Sequence, residues 1–92
     1  MTRTTLDKEQ LLEELREAIE NSGYRLRFEK GDFDGGACIL KAERLLVVNK
    51  RFALEKKLQT IARALGEIGL ETVFLKPAVR TFVEDEISKH ST

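Results

Sequence analysis

The strongest candidate for chemistry is an acidic, glycine-rich stretch beside the only cysteine of the chain. Residues 31–40 read GDFDGGACIL. The carboxylates of Asp32 and Asp34 could supply oxygen ligands, while Gly35 and Gly36 would let the backbone approach an anion. The pattern does not continue as a calcium loop, and no Gly-Lys-Ser/Thr follows as in a phosphate-binding loop. We therefore interpret the stretch as a hairpin turn whose glycines serve backbone geometry.

Two residues of this stretch need separate explanations. Phe33 stands in the middle of a turn, where an exposed aromatic side chain usually folds back or meets a partner. Cys38 could be a nucleophile only with a nearby base, and the only histidine is His90, close to the end of the chain. We expect Cys38 to be a small buried residue. The alternative is a reactive or redox-active thiol polarised by Asp32 or Asp34.

A second candidate site lies where a polar and basic segment leads into an amphipathic helix. Residues 49–57 read NKRFALEKK. Amino termini of helices attract anions, and nearby cations strengthen that attraction. We interpret the segment as a solvated basic rim and keep contact with an anion or an RNA backbone as the alternative. The candidate contact residues are Asn49, Lys50, Arg51, Lys56 and Lys57.

Arg80 is the third candidate, because it falls in the first turn of the last predicted helix. A cation is unfavourable there, since the helix dipole favours negative charge at the amino end. We therefore predict that Arg80 forms an ion pair with an acid of the first helix or of the glycine-rich stretch.

The composition indicates one small globular domain over residues 1–92, with 1–6 and 88–92 as frayed tails. Hydrophobic residues make up 41% and charged residues 35% of the chain, which is typical of a folded domain. The 16 basic and 16 acidic side chains cancel, which argues against a dedicated nucleic-acid binder. The charges are uneven, however. Residues 37–76 carry 8 basic and 4 acidic side chains, whereas residues 1–36 carry 6 and 9.

The location of the protein is predicted from three features of the sequence. No apolar run is long enough to cross a membrane, the first residues lack a hydrophobic signal segment, and a lone cysteine cannot form an internal disulfide. We therefore expect a cytoplasmic protein with no membrane partner.

The elements that would position these residues are clear from periodicity. The first helix is predicted over 8–21, capped by Asp7. Strands are predicted over 24–30, 37–41 and 44–49, the last two joined too tightly to be anything but antiparallel. A leucine-rich amphipathic helix ends at Gly69, residues 70–75 are a short strand or an irregular link, and Pro77 begins the last helix. We expect an α+β fold consisting of a helix, a three-stranded antiparallel β-meander and two helices packed on one sheet face.

The third strand carries the sequence LLVV, which is apolar at every position. A strand of this kind is central, buried on both faces, or in contact with another chain.

Several segments together resemble a family of short bacterial proteins with no established activity. These are GDFDGGACIL, VVNK, the leucine-rich helix and LKPAVR, which span most of the chain. The resemblance implies a bacterial protein but supplies no substrate or cofactor.

Residues 37–67 are also similar in layout to the core of HExxH zinc metallopeptidases of the repressor-cleaving type. In that family a hairpin leads into a helix reading A-H-E-L-G-H, and this chain has residues 62–67 in its place. Arg63 and Glu67 stand where the two zinc-binding histidines would be, and Ala64 replaces the general base. An arginine would repel zinc, so we expect no metal and no zinc-dependent hydrolysis.

The sequence alone therefore predicts a domain without enzymatic activity and without a cofactor, whose role is to associate with itself or with another protein. The two alternatives are a thiol-dependent role for Cys38 and binding of an anion or RNA backbone near residues 50–57.

Overall fold

A computed structural model describes residues 7–30, 37–69 and 73–89. It contains three helices and three strands over these ranges. The helices are α1 (Lys8–Asn21), α2 (Leu54–Ile68) and α3 (Pro77–Lys89), and the strands are β1 (Arg25–Glu29), β2 (Ala37–Leu40) and β3 (Leu45–Asn49). The predicted α+β class is confirmed, with α1 and α2 packed on one sheet face and α3 packed on α2.

Helix α1 has the predicted bounds because its start is fixed by a side-chain cap. The carboxylate of Asp7 accepts a hydrogen bond from the backbone N–H of Gln10 at 2.7 Å, which satisfies one of the N–H groups that the first helical turn leaves unpaired. At the other end the chain reverses through Gly23, whose φ of +93° favours glycine.

The sheet differs from the predicted meander in one pairing. Its strand order is β1-β3-β2, with β3 in the centre. Strands β2 and β3 are antiparallel as predicted, but β1 pairs with β3 in parallel, Leu26 opposite Leu46 and Phe28 opposite Val48. The physical reason lies in composition, because the most apolar strand is buried best when both of its edges are paired.

This strand order also corrects the interpretation of residues 31–40. A hairpin turn joins two neighbouring strands, whereas β1 and β2 lie on opposite sides of β3. The stretch between them is therefore not a hairpin connection. The turn of that kind lies instead between β2 and β3, where Arg44 adopts a φ of +53°.

The core lies between the inner face of the sheet and the helices. Leu46 and Val48 of β3 are fully buried there, together with Leu26 of β1. The alternate residues of the strands point away from the helices. Helix α3 packs mainly on α2, so the domain consists of a sheet, a layer formed by α1 and α2, and a third helix behind it.

The segment between α2 and α3 is irregular where the structure describes it. Val73 and Leu75 are buried, and Phe74 between them is exposed over 81% of its surface. Ser88 and Lys89 belong to α3, so the predicted frayed tail begins too early. Within the described ranges, no helix combines the length and apolar character needed to cross a membrane.

Candidate functional site

The outer side of the sheet, which we call the open face, carries an unexpected apolar centre. β3 contributes Leu45 and Val47, both half-buried, and β2 contributes the exposed Cys38 and Leu40. The strand register places these four side chains together, since Cys38 lies opposite Val47 and Leu40 lies opposite Leu45. Alternating strands with one solvated face usually place polar residues on that face, and here β2 and β3 do not.

Strand β1 supplies the charged border of the open face. Arg25 lies beside Leu45, Arg27 beside Val47, and Glu29 beside Asn49. Arg27 and Glu29 form an ion pair, with Nη2 of the arginine 2.6 Å from a carboxylate oxygen. The face therefore combines an apolar centre with charges of both signs along one edge.

The predicted burial of Cys38 is wrong, because the strand turns its side chain outwards. The thiol is exposed on the open face. Among the described residues, no group of three or more histidine, cysteine, aspartate or glutamate side chains is placed to hold a metal ion. Asp32 and Asp34, the predicted polarising acids, lie outside the described residues together with Phe33, Gly35, Gly36 and His90.

The predicted basic segment lies at the carboxyl ends of the two parallel strands, β1 and β3. The backbone N–H of Lys50 donates to the carbonyl of Glu29, so Lys30 and Lys50 extend side by side from β1 and β3. The backbone N–H of Arg51 donates to the Asn49 side chain at 2.9 Å. We call this surface the basic end, formed by Lys30, Lys50, Arg51, Lys56 and Lys57.

Aromatic rings lie among these cations. The ammonium group of Lys57 is 4.9 Å from the ring centroid of Phe28, and that of Lys56 is 5.6 Å from the ring of Phe52. The guanidinium of Arg16 approaches Phe28 at 5.9 Å. These contacts are cation–π interactions, and the contact with Phe28 holds Lys57 against β1.

Among the described residues, Arg80 pairs within its own helix and not with α1, and the acids of the glycine-rich stretch lie outside the described residues. The guanidinium of Arg80 lies 3.3 Å from a carboxylate oxygen of Glu84, one turn along the same helix. Lys76, four residues earlier, makes the contact with α1 instead, through Glu14 at 2.9 Å. This hydrogen bond and the negative charge of Glu14 raise the pKa of Lys76 above its ordinary value.

The amino ends of α1 and α2 are joined in the same way. Lys8 donates a hydrogen bond to the carboxylate of Glu55, and that bond, with the positive charge of Lys8, lowers the pKa of Glu55. Both groups are largely exposed. The pair belongs to the border of the helical layer and not to a buried site.

A cleft of about 470 Å³ lies between the inner face of β2 and helix α2. We call it the β2–α2 cleft. Its lining is Ala37, Ile39, Lys41 and Leu46 from the sheet and Thr60, Arg63, Ala64 and Glu67 from the helix. The cleft exists because β2 is an edge strand and α2 packs on the central β3, which leaves Ala37 and Ile39 only half-covered.

The cleft was not predicted from the sequence, because it depends on which strand lies at the sheet edge. Three of its residues, Arg63, Ala64 and Glu67, stand at the positions that the metallopeptidase resemblance aligns with its histidines and glutamate. In the described part of the chain, Lys41, Arg63 and Glu67 form no ion pair. The only hydrogen bond that any of these three side chains makes there runs from Arg63 Nε to the backbone carbonyl of Gln59, at 3.4 Å.

No family model matches the chain, and neither the curated proteins nor the solved structures include a detectable relative.

Proposed function

We propose that this protein is a non-catalytic association module that binds a second copy of itself through the open face of its sheet. The observation that supports the proposal is the apolar centre of that face, formed by Cys38, Leu40, Leu45 and Val47. Apolar surface removed from water contributes roughly 25 cal/mol per Å² to association. Covering the open face with a second copy would add this free energy to the stability of the dimer.

The charges bordering the face favour a second copy as the occupant. Arg25 and Glu29 lie at opposite ends of β1 on the same face. If two open faces meet with their β1 strands antiparallel, Arg25 of each copy lies near Glu29 of the other. A two-fold contact needs this kind of self-complementary surface. A cytoplasmic location is part of the same proposal, because a single exposed cysteine persists as a free thiol in a reducing compartment.

The test compares the oligomeric state of the wild-type protein with that of two lysine variants. Leu40→Lys places a charge in the apolar centre at a position that is already 37% exposed, so the fold should tolerate it. Ala78→Lys adds the same charge at an exposed position of α3, away from the sheet. We expect wild type and Ala78→Lys to sediment as dimers of the 10.5 kDa chain, and Leu40→Lys to sediment as a monomer.

A wild-type protein that stays monomeric at every concentration would contradict the proposal. A dimer that persists in Leu40→Lys would also contradict it, because that dimer would use another surface.

A second candidate function is the binding of an anionic polymer, such as an RNA backbone, at the basic end. The observation favouring it is the convergence of Lys30, Lys50 and Arg51 beside the two lysines that contact aromatic rings. Phosphate binding of this kind weakens steeply as salt concentration rises. The test is titration of a single-stranded RNA at several salt concentrations against wild type and Lys56→Glu/Lys57→Glu. Binding that is independent of salt, or unchanged in the double variant, would exclude this function.

A further inference from the structure

We propose that the β2–α2 cleft is a binding site for an extended acidic peptide, which adds as a fourth strand to the free edge of β2. The site is separate from the open face, so this inference does not depend on the proposed self-association. Two independent observations support it: among residues 7–30, 37–69 and 73–89, one edge of β2 has no partner strand, and two neighbouring cations have no ion-pair partner.

The first observation concerns the backbone of β2. Only one edge of this strand is paired, with β3, and no described element covers the other. Every second residue of an edge strand directs its N–H and C=O groups outwards, where an extended peptide can accept and donate hydrogen bonds. The four residues Ala37–Leu40 are long enough to hold a short peptide in register.

The second observation concerns the inward-facing side chains. Ala37 and Ile39 of β2, with Ala64 of α2, form an apolar wall, while Lys41, Arg63 and Glu67 bring two positive charges and one negative charge to the cleft. None of these three charged groups has an ion-pair partner within the described ranges. The excess positive charge is complementary to one carboxylate.

These two observations define the chemistry of the ligand. Side chains of an added strand alternate between the two faces of the sheet. Those on the inner side enter the cleft, where one position meets the apolar wall and another meets Lys41 and Arg63. The expected ligand therefore carries an apolar residue and an aspartate or glutamate two positions apart. Arg63 is well suited to the carboxylate, because a guanidinium binds it through two parallel hydrogen bonds.

The experiment uses an array of capped pentapeptides in which three threonines alternate with two varied positions. We expect the wild-type protein to select an apolar residue at one varied position and aspartate or glutamate at the other. Replacing the selected acid by its amide should weaken binding about tenfold, as expected for loss of one charge-assisted hydrogen bond. Arg63→Gln should weaken binding of the acidic peptide by a similar factor and should leave the affinity for the amide peptide unchanged. Arg80→Gln removes the same charge from α3, away from the cleft and the open face, and should change the binding of neither peptide.

The position of the peptide is tested by hydrogen exchange. Binding of the selected acidic peptide should slow the exchange of amide protons in β2, because the peptide pairs with the outer edge of that strand. The proposal would be overturned if the array showed no preference for acids, if Arg63→Gln bound the acidic peptide as well as wild type, or if residues 37–40 remained unprotected.

Discussion

Ile87 of α3 packs directly over the bare backbone of Gly66 on α2. A Cβ atom built on Gly66 would lie 2.8 Å from Cδ1 and 2.9 Å from Cγ1 of Ile87, closer than carbon atoms approach in a packed core. The absence of a side chain at Gly66 therefore makes room for Ile87, which gives a structural reason for a glycine inside a helix despite its cost.

Gly66→Ala should destabilise the protein by about 1 kcal/mol. The new methyl group forces Ile87 to move, and overpacking of this kind costs roughly 1–3 kcal/mol. The better helix propensity of alanine offsets about 1 kcal/mol of that cost. The measurement is the free energy of unfolding from urea denaturation.

A double-mutant cycle tests whether Ile87 causes the effect. In the Ile87→Ala background the obstacle is gone, so Gly66→Ala should become neutral or stabilising. Equal destabilisation in both backgrounds would contradict the packing explanation.

Asp7→Ala should lower the free energy of unfolding by about 1 kcal/mol, because the N–H of Gln10 loses its hydrogen-bond acceptor. Asp7→Ser retains an acceptor at this position and should remain close to wild type. An unchanged stability in the alanine variant would show that the cap does not contribute to holding α1 in place.

The ion pair between Lys8 and Glu55 should make stability depend on acid pH. Lys8 lowers the pKa of Glu55 below its ordinary value of 4.5, so the folded state binds that proton less readily than the unfolded state does. The contribution of Glu55 is therefore fully present above pH 4.5 and is lost as the pH falls through the lowered pKa. Thermal unfolding of wild type and Glu55→Gln should differ at neutral pH and converge in acid.

The control for this effect is Glu43→Gln, which removes an exposed carboxylate in the turn between β2 and β3. The difference in thermal unfolding temperature between this variant and wild type should not shrink as the pH falls. A constant difference between wild type and Glu55→Gln across the acid range would contradict the role of the ion pair.

Cys38 should react with a maleimide in the folded protein at low protein concentration. Its side chain is exposed on the open face, so the rate should lie within about tenfold of the rate in denaturant, whereas buried thiols are inert. At high concentration the reaction should slow, because the proposed dimer covers the same face. A thiol that is unreactive in the dilute folded protein would contradict the orientation of β2.

The sequence predicted local structure better than it predicted arrangement. The bounds of α1 follow from Asp7 and the residues that surround it, which are local signals. The strand order could not be derived in this way, because it depends on burying the LLVV strand between two neighbours. The β2–α2 cleft depends on that arrangement and was therefore missed. The pair of Arg80 with Glu84 is local to α3, and it was overlooked because a partner was sought on another element.

The open face was predicted only in part. The apolar run at Leu45–Val48 indicated a central strand or a contact with another chain, and the central position is confirmed. The exposure of Cys38 was not predicted, since a short strand with Ala37 and Ile39 as neighbours does not reveal which side faces the helices. Only the register with β3 decides this.

The most direct test of self-association through the open face is a dilution series followed by methyl NMR. If two copies join through this face, the methyl signals of Leu40, Leu45 and Val47 shift together as the protein is concentrated. The signals of Leu15 and Ile61 in the helical core do not shift. Concentration-independent spectra, or shifts confined to methyl groups outside the open face, would contradict the claim that this face joins two copies of the chain.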